Sequence, residues 1–542
     1  MAYPLPPLVY MMLRPHASAL VAALLFALLV AGPFILSGFA TNFADPYPEL
    51  TNDQSFYLAR IQDIRDGYPV TGNAYLAEHK NALPMQFLTG EYLEALILDL
   101  LSLPTSASLI LFTLFFTPII FLLTYAIFLV LKAPRHWGLL ATLLLTFGIY
   151  FFDFARPISP QFNFIFWLVA VLAFFTLYER TDLRSLILQA GTIGILFYLY
   201  PYYWTHLLAT LGVLVLVELV RSRAAALRTV LIVLLALAFG SGYLVLLAAA
   251  RALPEYYESL FRLGFIETHT PSGLSLVLIA LAALVAALYI AQRSRGTRLL
   301  PPVTLLIGGI VALNQHLVTG LNMEFASHYG MQIIFASAFL IAAAVSAREW
   351  WPLLEKRAVK GVAAVIVLFL TLFSVSAPYQ ELSSHLPPFA SYELVAWLTA
   401  HAEPGVVVYA PEALSLIIPA YTSADVFYAR NANAGFITNN EVVDRFIIQN
   451  YGATIDDAFI EKHQREVFGH HYLNTYGHAL QKARVLSLLG IDASLPPRIP
   501  RDALERVKAR AAELQSKPFA EIVAPYRLDY IVDESGTIHA YP

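Results

Sequence analysis

Eleven times along its 542 residues this chain runs apolar for long enough, or nearly so, to cross about 30 Å of hydrocarbon. The runs lie near 17–40, 105–131, 137–152, 161–178, 184–201, 203–220, 227–248, 273–291, 300–318, 328–346 and 359–377. That recurrence leaves few folds open. Overall, 58% of the residues are hydrophobic and 13% charged, where a soluble domain carries about 25% charged residues. A soluble enzyme, a disordered chain and a nucleic-acid binder with a basic face are excluded. The first run is too long, and too closely followed by others, for a cleaved signal peptide. The fold class is a polytopic α-helical membrane protein of about eleven spans.

Charge orders the rest. Residues 1–377 hold 21 Lys+Arg and 19 Asp+Glu; residues 378–542 hold 13 and 19, so a membrane domain (1–377) precedes a more ordinary, acidic domain (378–542). Its strands at 406–409 and 530–532 and helices near 439–451, 455–468, 472–489 and 501–515 predict a mixed α/β unit. With the N-terminus in the cytoplasm, 15 of the 21 basic residues of the membrane domain fall in short cytoplasmic connections, as the positive-inside rule asks. An odd span count then puts the C-terminal domain outside. The chain has no cysteine, which excludes disulfides and thiol chemistry.

Nine of the acidic residues crowd into one outer loop, 41–104. Thr51-Asn52-Asp53-Gln54 has the form of a capping box and opens an amphipathic stretch carrying Phe56, Tyr57, Ile61 and Ile64 at helical spacing. Gly67 and Pro69 close it. A second helical stretch covers 85–101. Both are expected at the membrane surface with the apolar face down. Asp53 falls in a first turn, where the helix dipole favours a carboxylate. Asp45 sits in an Asp-Pro turn.

This order of parts resembles the GT-C glycosyltransferases, membrane enzymes that use polyprenyl-phosphate-linked sugars. They share a first span, a long outer loop with surface helices and an acidic residue, many further spans and an outer domain. The stretch from Asn52 to Ile61 is similar to the family's acidic and aromatic loop segment, although the paired acidic motif of oligosaccharyltransferases is absent. The resemblance implies that a loop carboxylate, Asp53 or else Asp45, acts as base or metal ligand. It also implies a lipid-linked sugar donor as partner and, as cofactor, at most a divalent metal ion.

Three further groups of residues bear on that expectation. Arg156 is the only basic residue between 153 and 160, and a guanidinium suits a phosphate; Arg262, in the loop 254–270, and Arg251, just before it, are its alternates. Asn314-Gln315-His316, Thr319-Gly320 and Glu324 to His328-Tyr329 look like a stretch of bacterial GT-C-like proteins, and place His316, Glu324 and His328 about a phosphate or sugar. Tyr198, Tyr200, Tyr202, Tyr203 and Trp204 form an interfacial aromatic belt. In the C-terminal domain, His463, Glu466 and His470 share a helical face, as metal ligands would, but Gly469 interrupts that helix. Tyr57 is the expected substrate contact within the loop helix. The sequence thus points to transfer of a lipid-linked sugar at the outer face of a plasma membrane. A lipid-linked-sugar flippase and an inactive GT-C-like binding protein remain as alternatives, and the acceptor is not specified.

Overall fold

The computed structural model describes residues 14–51, 53–292, 299–323, 326–387, 389–488, 490–533 and 536–542. All eleven apolar runs are helical. Six helices are long and apolar enough to cross a membrane by length and composition among the described residues. They are α1 (Ala17–Thr41), α4 (Ser108–Val130, with its leading turn), α8 (Pro201–Arg221), α12 (Leu274–Ala291), α14 (Gly330–Ala347) and α15 (Arg357–Glu381). The run at 227–248 is a bent pair, α9 (Arg223–Phe239) and α10 (Ser241–Arg251), turned by 59° at Gly240. The others are shorter: α5 (Arg135–Leu143, continued by a π-helical turn), α6 (Asn163–Leu177), α7 (Leu183–Gly194) and α13 (Leu300–Leu313).

The helices meet through small residues, as lipid-embedded helices do. Where α13 crosses α8, a Cβ on Gly308 would collide with Thr210. α15 is the exception, with only Val367 and Pro378 buried.

The first large loop carries α2 (Gln54–Arg65) and α3 (Thr89–Leu100). α3 is two-faced, with Leu96 and Leu100 67% and 81% exposed and Glu91, Glu94 and Leu98 turned inward. α2 does not lie on a surface. Tyr57, Leu58, Ala59, Arg60, Ile61 and Asp63 are all buried, because α2 is held between α3 and a helix of the C-terminal domain. The capping box also fails to form. Gln54 turns back into the preceding loop, donating to the Pro48 carbonyl at 2.9 Å and accepting from the Leu50 N–H at 3.3 Å. Asp53, not Thr51, precedes the first helical residue, in the left-handed region at φ 60° with no side-chain cap.

The C-terminal domain holds α16 (Phe389–His401), α17 (Glu412–Tyr421), α18 (Asn439–Gln449), α19 (His471–Leu488) and α20 (Arg501–Gln515) around a four-stranded sheet. Its strands are β1 (Val407–Tyr409), β2 (Asp425–Val426), β3 (Tyr530–Val532) and β4 (Ile538–Ala540), in the order β2-β1-β3-β4. β1 pairs parallel with β2 and β3, and β4 closes antiparallel on β3. Alternation along β1 separates two cores. Val408 faces the large core that runs into the helix bundle, and Val407 faces a second core with Phe427, Phe446 and Val507.

The first loop is part of this domain's packing. The Val426 N–H donates to the Tyr75 carbonyl at 2.9 Å, so the loop pairs with the sheet at β2. Lys80, 4% exposed, bonds Asp63 at the end of α2 and reaches Asp425 on β2 at 2.7 Å. His79 meets Glu441 at 2.9 Å and Arg445 meets Glu78 at 3.0 Å. Removing one partner of a buried ion pair costs about 3–5 kcal/mol, because the other charge is stranded. Lys80→Met is therefore expected to lower the thermal unfolding midpoint of the purified protein and open residues 42–104 to protease. Adding Asp425→Asn to Lys80→Met should recover part of the loss.

Candidate active site

Residues at the loop-side ends of α2 and α8, with His328 just before α14, surround Arg156. Its loop is rigid: Gln161 donates to the Phe154 carbonyl at 3.0 Å and to Thr113 Oγ1 at 2.7 Å. The Arg156 Nε donates to the Ser159 carbonyl, and its Nη1 reaches Asp53 Oδ2 at 3.5 Å. Arg156 thus reaches the carboxylate of Asp53, while its neighbour Asp153 accepts the Arg156 N–H on its backbone carbonyl and has its carboxylate favoured by the guanidinium charge. The Asp53 side chain is 56% exposed and that of Arg156 23%, so the pair borders open space. A left-handed aspartate carries backbone strain that is often found at working sites. Here it turns the carboxylate away from the helix N-terminus and toward the guanidinium.

Aromatic groups enclose the pair. Tyr57, one turn along α2, is buried, and burial pushes its phenol up to about 12; it keeps its proton. Burial works against the Arg156 charge, but the polar groups around it, the Asp53 carboxylate among them, outweigh that and raise its pKa. Tyr200 shares a 2.6 Å hydrogen bond with His328 Nδ1. Burial first, and Arg156 second, hold His328 down to about 3, so its imidazole is neutral at ordinary pH. Behind Tyr57, Arg60 forms a buried pair with Glu91 at 3.1 Å. Burial raises the neighbouring Glu94, which hydrogen-bonds Ser108, to about 8. From the C-terminal domain, His470 comes within reach of the Asp53 charge, which opposes the lowering effect of burial and Arg465 on it.

The structure brings together Asp53, Tyr57, Arg156 and His328 among the residues singled out in the sequence. It sends the others elsewhere. Asp45 borders a separate cavity, where burial raises it to about 6. Arg262 is fully engaged: it donates to Asn439 Oδ1 at 2.6 Å, Ser259 Oγ at 3.1 Å, and the carbonyls of Gly435 at 3.1 Å and Ile437 at 2.7 Å. It sits on α11 (Tyr256–Leu263) and bolts that helix to the C-terminal domain. A Cβ on Gly469, at φ 62°, would collide with the Arg262 carbonyl, which accepts the His470 N–H at 2.7 Å. The expectation that Arg262 holds phosphate is corrected on this ground, since its donors are spent inside the junction.

His316 is buried against Thr270 (2.8 Å) and beside His478, with no described contact to Arg156. Glu324 lies outside the described residues. His463 separates two short helices, and among the described residues no three His, Cys, Asp or Glu side chains stand together as metal ligands. Tyr200 and Tyr203 were legible only as an interfacial belt; the density of tyrosine about Pro201 was the signal for their place beside Arg156.

Neither a protein-family model nor a curated protein matches this sequence. Among solved structures, ArnT from Cupriavidus metallidurans bound to undecaprenyl phosphate aligns at TM-score 0.52. The alignment covers 76% of this chain and 85% of that one, at 14% identity. The chain has a GT-C-like fold. The archaeal oligosaccharyltransferase AglB from Archaeoglobus fulgidus, in complex with an inhibitory peptide and a dolichol-phosphate, aligns at TM-score 0.48 and 12% identity, over 84% of this chain and 68% of that one. On the GT-C-like fold of this chain, the Asp53–Arg156 pair stands where the first large loop meets the helix bundle.

Two measurements check this geometry. Arg262→Lys loses the planar fork and strands several acceptors, at about 1–3 kcal/mol for each buried group. It should lower the thermal midpoint; an unchanged midpoint would overturn the bolt assignment. For His328, an unfolded imidazole takes up its proton near 6.5 while the folded one waits until about 3. This residue therefore costs stability progressively as pH falls below 6.5. His328→Asn should flatten the acid side of the stability–pH curve.

Proposed function

We propose that this protein transfers a sugar from a polyprenyl-phosphate-linked donor to an acceptor on the loop side of the membrane, the outer face of a plasma membrane. The observation that carries the proposal is the Asp53–Arg156 pair: a half-exposed carboxylate 3.5 Å from a guanidinium, bordered by protonated tyrosine. The like-folded ArnT binds undecaprenyl phosphate, which supports a lipid phosphate as the partner here.

In this reading Asp53 takes the proton from the acceptor hydroxyl as general base. The acceptor oxygen attacks the anomeric carbon, the bond from that carbon to the phosphate oxygen breaks, and the configuration inverts. Arg156 meets the charge that develops on the departing phosphate, and the Tyr57 phenol donates to it or to the sugar. Residues that would jointly hold a divalent ion are not found among those described, and no step is drawn through one. The Asp53–Arg156 pair lies at the loop end of the bundle rather than along its length, which favours surface chemistry over a flippase path through the bilayer.

General-base assistance is worth roughly 10²–10⁴ in rate. Asp53→Asn should express and insert normally yet lose at least a hundredfold in transfer, assayed against a library of polyprenyl-linked sugars. Arg156→Ala should raise the KM for the donor if its phosphate contact is equal in ground and transition states. Full activity in Asp53→Asn would sink the mechanism while leaving the fold intact. For orientation, a reporter fused after Pro542 is expected to be active only outside the cytoplasm.

A further inference from the structure

The membrane domain and the C-terminal domain also meet through histidine. His316 begins the short helix His316–Thr319 after α13 and is wholly buried. His478 lies midway along α19, its ring 6.1 Å from that of His316 and at 86° to it. Around them α19 is docked on the outer connections of the membrane domain by neutral bonds. Asn474 donates to the Gly264 carbonyl at 2.8 Å, Gln481 to the Pro271 carbonyl at 3.0 Å and His471 Nδ1 to the Phe265 carbonyl at 3.1 Å.

The partners fix where each ring proton sits. His316 Nε2 is 2.8 Å from the Thr270 carbonyl, which can only accept, so Nε2 carries the hydrogen and Nδ1 the lone pair. His478 Nε2 is 2.8 Å from Asn322 Nδ2, an amide donor, so there Nε2 carries the lone pair and Nδ1 the hydrogen. Both Nδ1 atoms are buried without a hydrogen-bond partner. The arrangement suits two neutral rings and no other state. A proton on His478 Nε2 would set one donor against another across the seam bond to Asn322. A proton on His316 Nδ1 would make a buried donor with no acceptor, and a second cation beside the first.

Little charge stands by to compensate. Among the described residues neither ring is ion-paired with a carboxylate. α19 packs against α11 and against Ile266–Glu267, which pairs with Leu321–Asn322. On these elements Glu267 is exposed, Glu258 accepts the Asn439 N–H, and Arg262 is spent as described above. His269 is exposed and meets the Leu317 carbonyl at 3.1 Å; Lys482, one turn along α19, is exposed and of the wrong sign. A solvated imidazole titrates near about 6.5, whereas burial, and then the His316 charge, hold His478 below that. The undocked helix therefore binds more protons than the docked one, and acid favours release.

We propose that His316 and His478 form an acid-operated latch: neutral, they hold α19 against the outer connections of the membrane domain, and protonated, they let it go. The latch needs nothing from the transfer chemistry, yet it bears on that site, because His470, just before α19, lies within reach of the Asp53 charge. The chain has no cysteine, so spin labels on Val318→Cys and Lys482→Cys, both exposed positions, meet no competing thiol. Pulsed electron double resonance then reads the distance across the seam in the full-length protein in nanodiscs. From a pH of about 7.5 to about 5.5, the population at longer distance should rise at least threefold, and reversibly. His478→Gln retains a side chain able to bond Asn322 but cannot titrate, and should abolish the response; His316→Asn should reduce it. Gln481→Ala removes a neutral seam bond and should leave the response in place. A histidine variant open at both pH values has lost the closing contact and supports the latch. A distance indifferent to pH in the labelled parent, a response undiminished in either histidine variant, or its loss in Gln481→Ala would each overturn it.

Discussion

A single buried ammonium holds the two halves of this protein in register. Lys80 lies between Asp63, at the end of the loop helix, and Asp425, on the edge strand of the C-terminal sheet, and all three side chains are almost wholly withdrawn from solvent. Two carboxyl groups face one ammonium in a low-dielectric place; burial raises both and lifts Asp425 to about 7, an excess of acid that Lys80 offsets only while all of the trio stays assembled. Thr71, which donates to Asp63 at 2.5 Å, relieves part of that excess. Because Asp63 is on α2, the trio fixes the rotation of that helix, and with it the direction in which Asp53 and Tyr57 point.

The site follows from that placement. α2 is gripped by α17 on one side and α3 on the other, so its N-terminus cannot swing as a surface helix would. Asp53 meets Arg156 because each is held by its own frame: the left-handed turn before α2 for one, the Gln161-braced loop for the other. Arg262 performs the matching task across the seam, tying α11 to the residues before α18. Charge is thus used twice in this protein. Saturated, buried ions set the geometry, while the Asp53–Arg156 pair keeps a half-exposed carboxylate beside a partly buried guanidinium.

What the sequence made legible is what depends on neighbours along the chain. The apolar runs became helices with ends within a few residues, and the expected helix at 501–515 and strand at 530–532 coincide with those observed, since periodicity and composition are local quantities. The bend at Gly240 and the burial of α2 were not legible, because both are decided by partners far away in sequence. Asp425 lies 345 positions from Lys80, and no spacing rule connects them. The capping box misled for a related reason: Thr51-x-x-Gln54 is a local pattern, and the tertiary demand for Gln54 to bind the Pro48 carbonyl outweighed it. Arg262 and Arg156 looked alike as basic residues in outer connections. The number of acceptors around Arg262 marks it as a bolt.

The outward leucines of α3 carry a consequence of their own. Leu96 and Leu100 present a greasy edge, while Glu91 on the opposite side of the same helix grips Arg60, one turn from Tyr57 on α2. Through that pair the leucine edge and the start of α2 form one strut. Whatever apolar surface takes up the leucines thereby sets the level of the Asp53 carboxylate, so one contact on the rim of the loop fixes the height of a charge on its far side.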